Sequence, residues 1–210
     1  MIGKKITSLV DRSACLNGRD ISVSLSGKHA VTGRVYTGGV PDGKKRIVFG
    51  MGCFWGAERL FWTTPGVYTT AVGYAGGVTE NPSYEEVCSG MTNHTEVVIV
   101  VYNPEAVSLD RLLKAFWEGH DPTQGMRQGN DTGTQYRSAI YVDSDGDLAH
   151  VMRSRDSYQR ALTESKCGVI TTEIGRLDTL FYAEEMHQQY LHKVPNGYCG
   201  LAGTSVRYTG

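Results

Sequence analysis

No stretch of this chain is long and apolar enough to suggest a membrane span. Hydrophobic residues make up 40% of the 210 positions, but they are dispersed, and no run nears the roughly 18 residues that a spanning helix needs. An excess of charge is also missing. Lys and Arg number 21 against 22 Asp and Glu, a formal net charge of -1, so no global field exists to gather nucleic acid or an anionic bilayer. A small or neutral substrate is expected instead. Met1 to Val10 carry Lys4 and Lys5 but no following apolar stretch or small-residue cleavage site, so no secretory leader is read there and the expected address is cytoplasmic.

Cysteine is sparse and odd in number. Cys15, Cys53, Cys88, Cys167 and Cys199 lack the dense even spacing of a disulfide-stapled secreted domain, and at least one of them has no partner within the chain. No Cys-x-x-Cys pair occurs, and His187 and His192 stand five apart, which fits neither a helical zinc pair nor a finger. No metal site is expected. In a reducing compartment such cysteines are either apolar fillers or chemically employed.

What is present has the size of one domain with extensions. Residues 1–45, rich in Gly, Ser and short polar stretches, read as a leader that wraps the core. A strand at 46–50 leads through Gly52 into a helix from Cys53 to Trp62, which Thr63, Thr64, Pro65 and Gly66 end. Strands follow at 67–74 and 95–102, a helix capped by Ser108 runs to Trp117, and a further strand covers 137–142. The order β-α-β-β-α-β is that of an α+β, two-layer, ferredoxin-like split βαβ core with a mixed, largely antiparallel sheet. A helix over 145–166, a strand at 169–174 and a helix over 184–191 decorate it. These complete a catalytic domain over 46–194, and the irregular segment 195–210, with Pro195, Gly197, Gly200 and Gly203, is expected to be flexible and carries Cys199.

The most informative stretch is Gly52-Cys53-Phe54-Trp55-Gly56. It puts a cysteine at a strand-to-helix turn, where free backbone N–H groups and the helix dipole stabilise a thiolate. Phe54 and Trp55 could line an apolar cup for a small group such as a thioether methyl, although either aromatic, taken alone, also suits ordinary core packing.

From Arg46 to Gly203 the chain closely resembles the A-type peptide methionine sulfoxide reductases. The resemblance rests on the stretch just quoted with Glu58 and Arg59, on Gly73-Tyr74-Ala75-Gly76-Gly77, on Asn81 to Gly90, on His94-Thr95-Glu96, on Gly129 to Ser138, on His187-Gln188-Gln189-Tyr190-Leu191 and on Gly197-Tyr198-Cys199-Gly200. It implies Cys53 as nucleophile. A sulfoxide oxygen accepts hydrogen bonds strongly, so thiol attack needs a donor there. Glu96, next to the apolar run Val97 to Val101, is the expected donor, because burial raises a carboxyl pKa and keeps it protonated.

Tyr84 and Tyr136 match the family positions that help hold the oxygen, and Asp131 matches one in the shell of the site. Arg137, His187 and Cys88 are accounted for by surface pairing, helix packing and core filling. The resemblance further implies the S epimer as substrate, free or in proteins. It implies Cys199 as the resolving thiol and thioredoxin, or dithiothreitol in vitro, as the external reductant, with no bound cofactor; a monomer is expected. Loss of the thioether would leave Cys53 as a sulfenic acid, which a second thiol condenses to a disulfide.

The chain departs from the family pattern in two places. No second recycling cysteine follows Cys199, Arg207 standing where one is common, and Asn93 replaces a glycine before His94. Cys15 and Cys167 match no motif. Two other readings of Cys53 remain open from the residues alone: another sulfenate-cycling enzyme, such as one acting on peroxides, and a redox-sensing or binding protein in which Cys53 is merely packed.

Overall fold

The computed structural model describes residues 5–210. A 3-10 turn at Arg12–Ala14 precedes β1 (Lys45–Met51), α1 (Phe54–Trp62), β2 (Val67–Ala75), α2 (Tyr84–Cys88), β3 (Thr95–Tyr102) and α3 (Leu109–Gly119). After these come β4 (Arg127–Gln128), β5 (Asp131–Thr132), a 3-10 turn at Thr134–Tyr136, β6 (Ser138–Val142), α4 (Asp145–Glu164), β7 (Glu173–Arg176), β8 (Leu180–Tyr182) and α5 (Tyr190–Lys193). The main sheet has the order β7-β6-β1-β3-β2-β8. Its inner four strands, β6-β1-β3-β2, pair antiparallel throughout, as a split βαβ core requires. Among the strands of the described residues, only β7 joins this sheet in parallel.

The continuous apolar run of β3 follows from burial on both faces, since all eight of its residues are buried. Val98, Val100 and Tyr102 point to a core shared with Leu112, Phe116 and Trp117 of α3 and Val151, Tyr158 and Leu162 of α4. Val97 and Ile99 face a second cluster with Tyr36 and Tyr141, which Leu25, Leu177, Leu180 and Tyr182 cover. Each fully buried Val, Leu or Phe contributes about 1.5–3 kcal/mol of hydrophobic stabilisation. Helix starts are fixed locally: the side chains of Ser108 and Ser144 accept the N–H of Arg111 and Asp147, and Ser83 with Glu86 forms a reciprocal capping box on α2.

Three expectations need correction. The helix expected over 184–191 is confined to α5, because Gln189 adopts a left-handed φ of 48° and breaks the ladder. The strand expected at 169–174 begins only at Glu173, since Ile170 and Thr171 donate their N–H groups to Gln159 and Pro122 instead of to β6. The long helix ends at Glu164, with Lys166 already at a φ of 57°. Within 195–210, Tyr208 is buried against Tyr158, its N–H donates to Glu118, and Leu201 and Val206 pack on the main core.

Candidate active site

Gly52 closes β1 with a φ of 82°, a conformation open to glycine, and a Cβ there would stand 2.5 Å from the Gln128 side chain. The turn delivers Cys53 to the N-cap of α1. The Trp55 N–H donates to its sulfur and favours the thiolate, yet burial and then the charge of Glu96 dominate and hold the thiol well above its ordinary value. Desolvation thus outweighs the helix terminus, and Cys53 keeps its proton instead of resting as the expected thiolate.

Glu96, the second residue of β3, is 1% exposed. Its Oε2 accepts the N–H of Phe54 at 3.0 Å. Burial raises its pKa to about 8 against the opposing pull of that N–H, so the acid is mostly protonated at neutral pH. Burial, with the Glu96 charge second, also holds the phenols of Tyr84 and Tyr136 well above their usual range, and both keep their protons. The Tyr84 backbone N–H donates to Glu184, which also receives the Tyr74 hydroxyl.

Phe54 is buried and lies 6.4 Å from the Tyr84 ring, centroid to centroid. Trp55 stacks on Tyr190 at 4.0 Å and donates its Nε1–H to His187 Nδ1 at 3.3 Å. A cavity of about 450 Å³ opens among Trp55, Tyr84, Glu184, Met186, His187 and Tyr190. His187, assigned only to helix packing from the sequence, is therefore a member of this wall together with Glu184 and Tyr190. The match at His187 to Leu191 was the available signal. Arg137 is corrected from surface pairing: its side chain is buried and binds the carbonyls of Thr134 and Asn93 as well as Glu173.

Asp131, half-buried in β5, accepts the Tyr198 hydroxyl at 3.0 Å, which ties it to the segment carrying Cys199. Cys199 is exposed, and its Sγ lies against α1, 2.8 Å from where a Cβ on Gly56 would sit. The thiols of Cys53 and Cys199 are both free, and Cys199 is near enough to bear electrostatically on Cys53. Asn93 fits the place of the family's glycine: its φ is 57°, and its side chain exchanges two hydrogen bonds with the backbone of Val10.

A cysteine at a helix start, a neutral buried acid beside it and a second thiol over the same helix, on an α+β core, are the groups that a thiol-based oxidoreductase requires. The family model described as peptide methionine sulfoxide reductase matches residues 45–208. A peptide methionine sulfoxide reductase MsrA of Brucella anthropi is 58% identical, covering 97% of this chain and 93% of the relative. The solved methionine sulfoxide reductase A of Corynebacterium diphtheriae superposes with a TM-score of 0.86 at 48% identity, over 91% of this chain and 93% of that one. Mxr1 from Saccharomyces cerevisiae, solved in complex with Trx2, shares the fold at a TM-score of 0.54 and 22% identity, over 82% and 96%. The chain belongs to the peptide methionine sulfoxide reductase family.

Proposed function

We propose that the protein reduces the S epimer of methionine sulfoxide, free or in proteins, through Cys53. The observation that carries this reading is the neutral Glu96 held on the amide next to the cysteine. The thioether methyl lies against Phe54 and Trp55, and the sulfoxide oxygen meets the acid proton of Glu96 with the hydroxyls of Tyr84 and Tyr136. Asp131 shapes the rim. With Glu96 protonated, its charge no longer opposes ionisation of Cys53, so the thiol can release its proton as it attacks.

The net first step converts thiol and sulfoxide to sulfenic acid and thioether. Oxygen passes from the substrate sulfur, reduced by two electrons, to the Cys53 sulfur, oxidised by two. The Cys199 thiol then displaces water from the sulfenic acid to give a Cys53–Cys199 disulfide. An external dithiol, thioredoxin in the cell or dithiothreitol in vitro, reduces that bond by exchange. These steps balance without a resident cofactor. The yeast relative solved with Trx2 supports the choice of reductant, and we place the enzyme in the cytoplasm as a monomer, with 46–194 as the domain that carries the reduction step and 195–210 as the segment that carries the resolving Cys199. No helix among the described residues is long and apolar enough to cross a membrane.

The test supplies one equivalent of each epimer of a blocked methionine sulfoxide to the reduced protein without reductant. Product from the S epimer alone, with a Cys53–Cys199 linkage by mass spectrometry, is expected. Equal conversion of both epimers, or a linkage elsewhere, contradicts the reading.

A further inference from the structure

Four buried polar side chains outside the reacting cluster close a ring of hydrogen bonds. His29, Glu58, Thr70 and Gln189 are each no more than 1% exposed. Glu58, on α1 with Cys53, accepts from the Thr70 hydroxyl at 3.1 Å and from the backbone N–H and Nε2 of Gln189, both at 2.8 Å. With its proton committed to Glu58, the Thr70 oxygen can only accept from His29 Nε2, 2.9 Å away. His29 Nδ1 accepts the N–H groups of Val31 and Thr32, which leaves the ring neutral with its proton on Nε2. Burial agrees, lowering the His29 pKa to about 4. The neighbouring Ala30 N–H donates to Gln189 Oε1 at 3.1 Å, so both ends of the ring return to one hairpin of the N-terminal extension, residues 27–36.

The residue gripped from both sides is the one whose backbone is strained. Gln189 has a φ of 48°, a conformation that a side chain other than Gly, Asn or Asp adopts only when its surroundings impose it. It directly precedes Tyr190, which stacks on Trp55, and follows His187, which receives the Trp55 N–H. The hairpin and the residue just before it make a second attachment, because Tyr36 and Ser26 both donate to Glu185. We propose that His29 is a positioning residue: acting through Thr70 and Glu58, it holds Gln189 in its strained turn and so fixes the Tyr190–His187 wall of the substrate cup. The N-terminal extension is then part of the binding site. This inference rests on the reading of that cup as the place where the methionine sulfoxide side chain binds.

Removing the link should loosen binding more than chemistry, since neither Cys53 nor Glu96 lies in the ring. The test compares full-length wild type, His29→Ala, His29→Gln and Thr70→Val by steady-state kinetics on blocked methionine S-sulfoxide and by hydrogen exchange of residues 184–190. Glutamine presents a donor nitrogen near the place of His29 Nε2, and valine removes the hydroxyl relay at nearly constant shape. Expected are a KM roughly tenfold higher with kcat within about twofold in His29→Ala and Thr70→Val, and faster exchange confined to 184–190. His29→Gln should restore both. An unchanged KM with unchanged exchange in Thr70→Val overturns the inference, as does His29→Gln behaving like alanine. If His29→Ala loses protection throughout the chain, Thr70→Val decides. Should wild type reduce no methionine sulfoxide, the proposed activity has failed, and the exchange data still report whether the hairpin holds the 184–190 wall.

Discussion

The carboxyl of Glu96 is bound to the amide of Phe54, 3.0 Å from Oε2 to nitrogen, so the acid is tied to the peptide unit that Cys53 itself begins. This bond sets the spacing between the start of α1 and the acid. That coupling explains how a carboxyl from the middle strand of the sheet and a thiol from a turn keep their register without bonding to each other.

Activity should depend on the Glu96 proton. Its pKa is raised to about 8 by burial, so the donating form is present below that value and lost as the pH rises through it. The rate of a single turnover, measured from neutral pH upward, is expected to fall through about pH 8. Glu96→Gln, able to donate a hydrogen bond but no proton, should slow this step by roughly 10²–10⁴ and lose that descending limb.

The same proton bears on stability with a defined sign. A carboxyl raised from 4.5 to about 8 on folding contributes stability that is complete below the unfolded value and disappears as pH rises through the folded one. Glu96→Gln is uncharged throughout, so its stability relative to wild type should increase between about pH 5 and pH 9, by on the order of a few kcal/mol. Chemical denaturation at both pH values measures the gap, and a constant gap contradicts the burial argument.

Gly56→Ala should separate the two thiol steps. Alanine favours the helix by about 1 kcal/mol, yet its Cβ would stand 2.8 Å from Cys199 Sγ and 3.1 Å from Leu201 Cγ. We expect one methionine per protein to form at close to the wild-type rate, while the Cys53–Cys199 disulfide forms at least roughly tenfold more slowly. Rapid quench with thiol counting resolves the two phases.

Tyr198→Phe removes the hydroxyl bonded to Asp131. For a hydrogen bond at an exposed residue, about 0.5–1.5 kcal/mol is at stake. Disulfide formation should change by roughly twofold to tenfold, and the first turnover should not. An equal effect on both steps would place Tyr198 in the reduction chemistry instead.

Much of the frame was legible because local chemistry and tertiary packing agree. The strand-turn-helix around Cys53, the Ser108 cap and the doubly buried run of β3 each carry a signal within a few residues. The misread parts are those where distant partners override local preference. Residues 184–191 have a helical look, but Glu58, some 130 positions away, takes the Gln189 N–H. Residues 169–172 look β-prone, but Pro122 and Gln159 capture their donors. The docking of Tyr208 and the ring through His29 likewise exist only after the chain closes on itself. In the site, the resemblance pointed to Cys53, Glu96, Tyr84, Tyr136 and Cys199, whereas the protonated state of Cys53 came from summed burial and charge that no motif records.

The most direct test traps the first intermediate. Cys199→Ser protein, given one equivalent of methionine S-sulfoxide and a sulfenate-specific carbon nucleophile, should yield one methionine per chain and one adduct, mapped by mass spectrometry to Cys53. Methionine formed with Cys53 unmodified, or formed equally well after Cys53→Ser, would contradict the account.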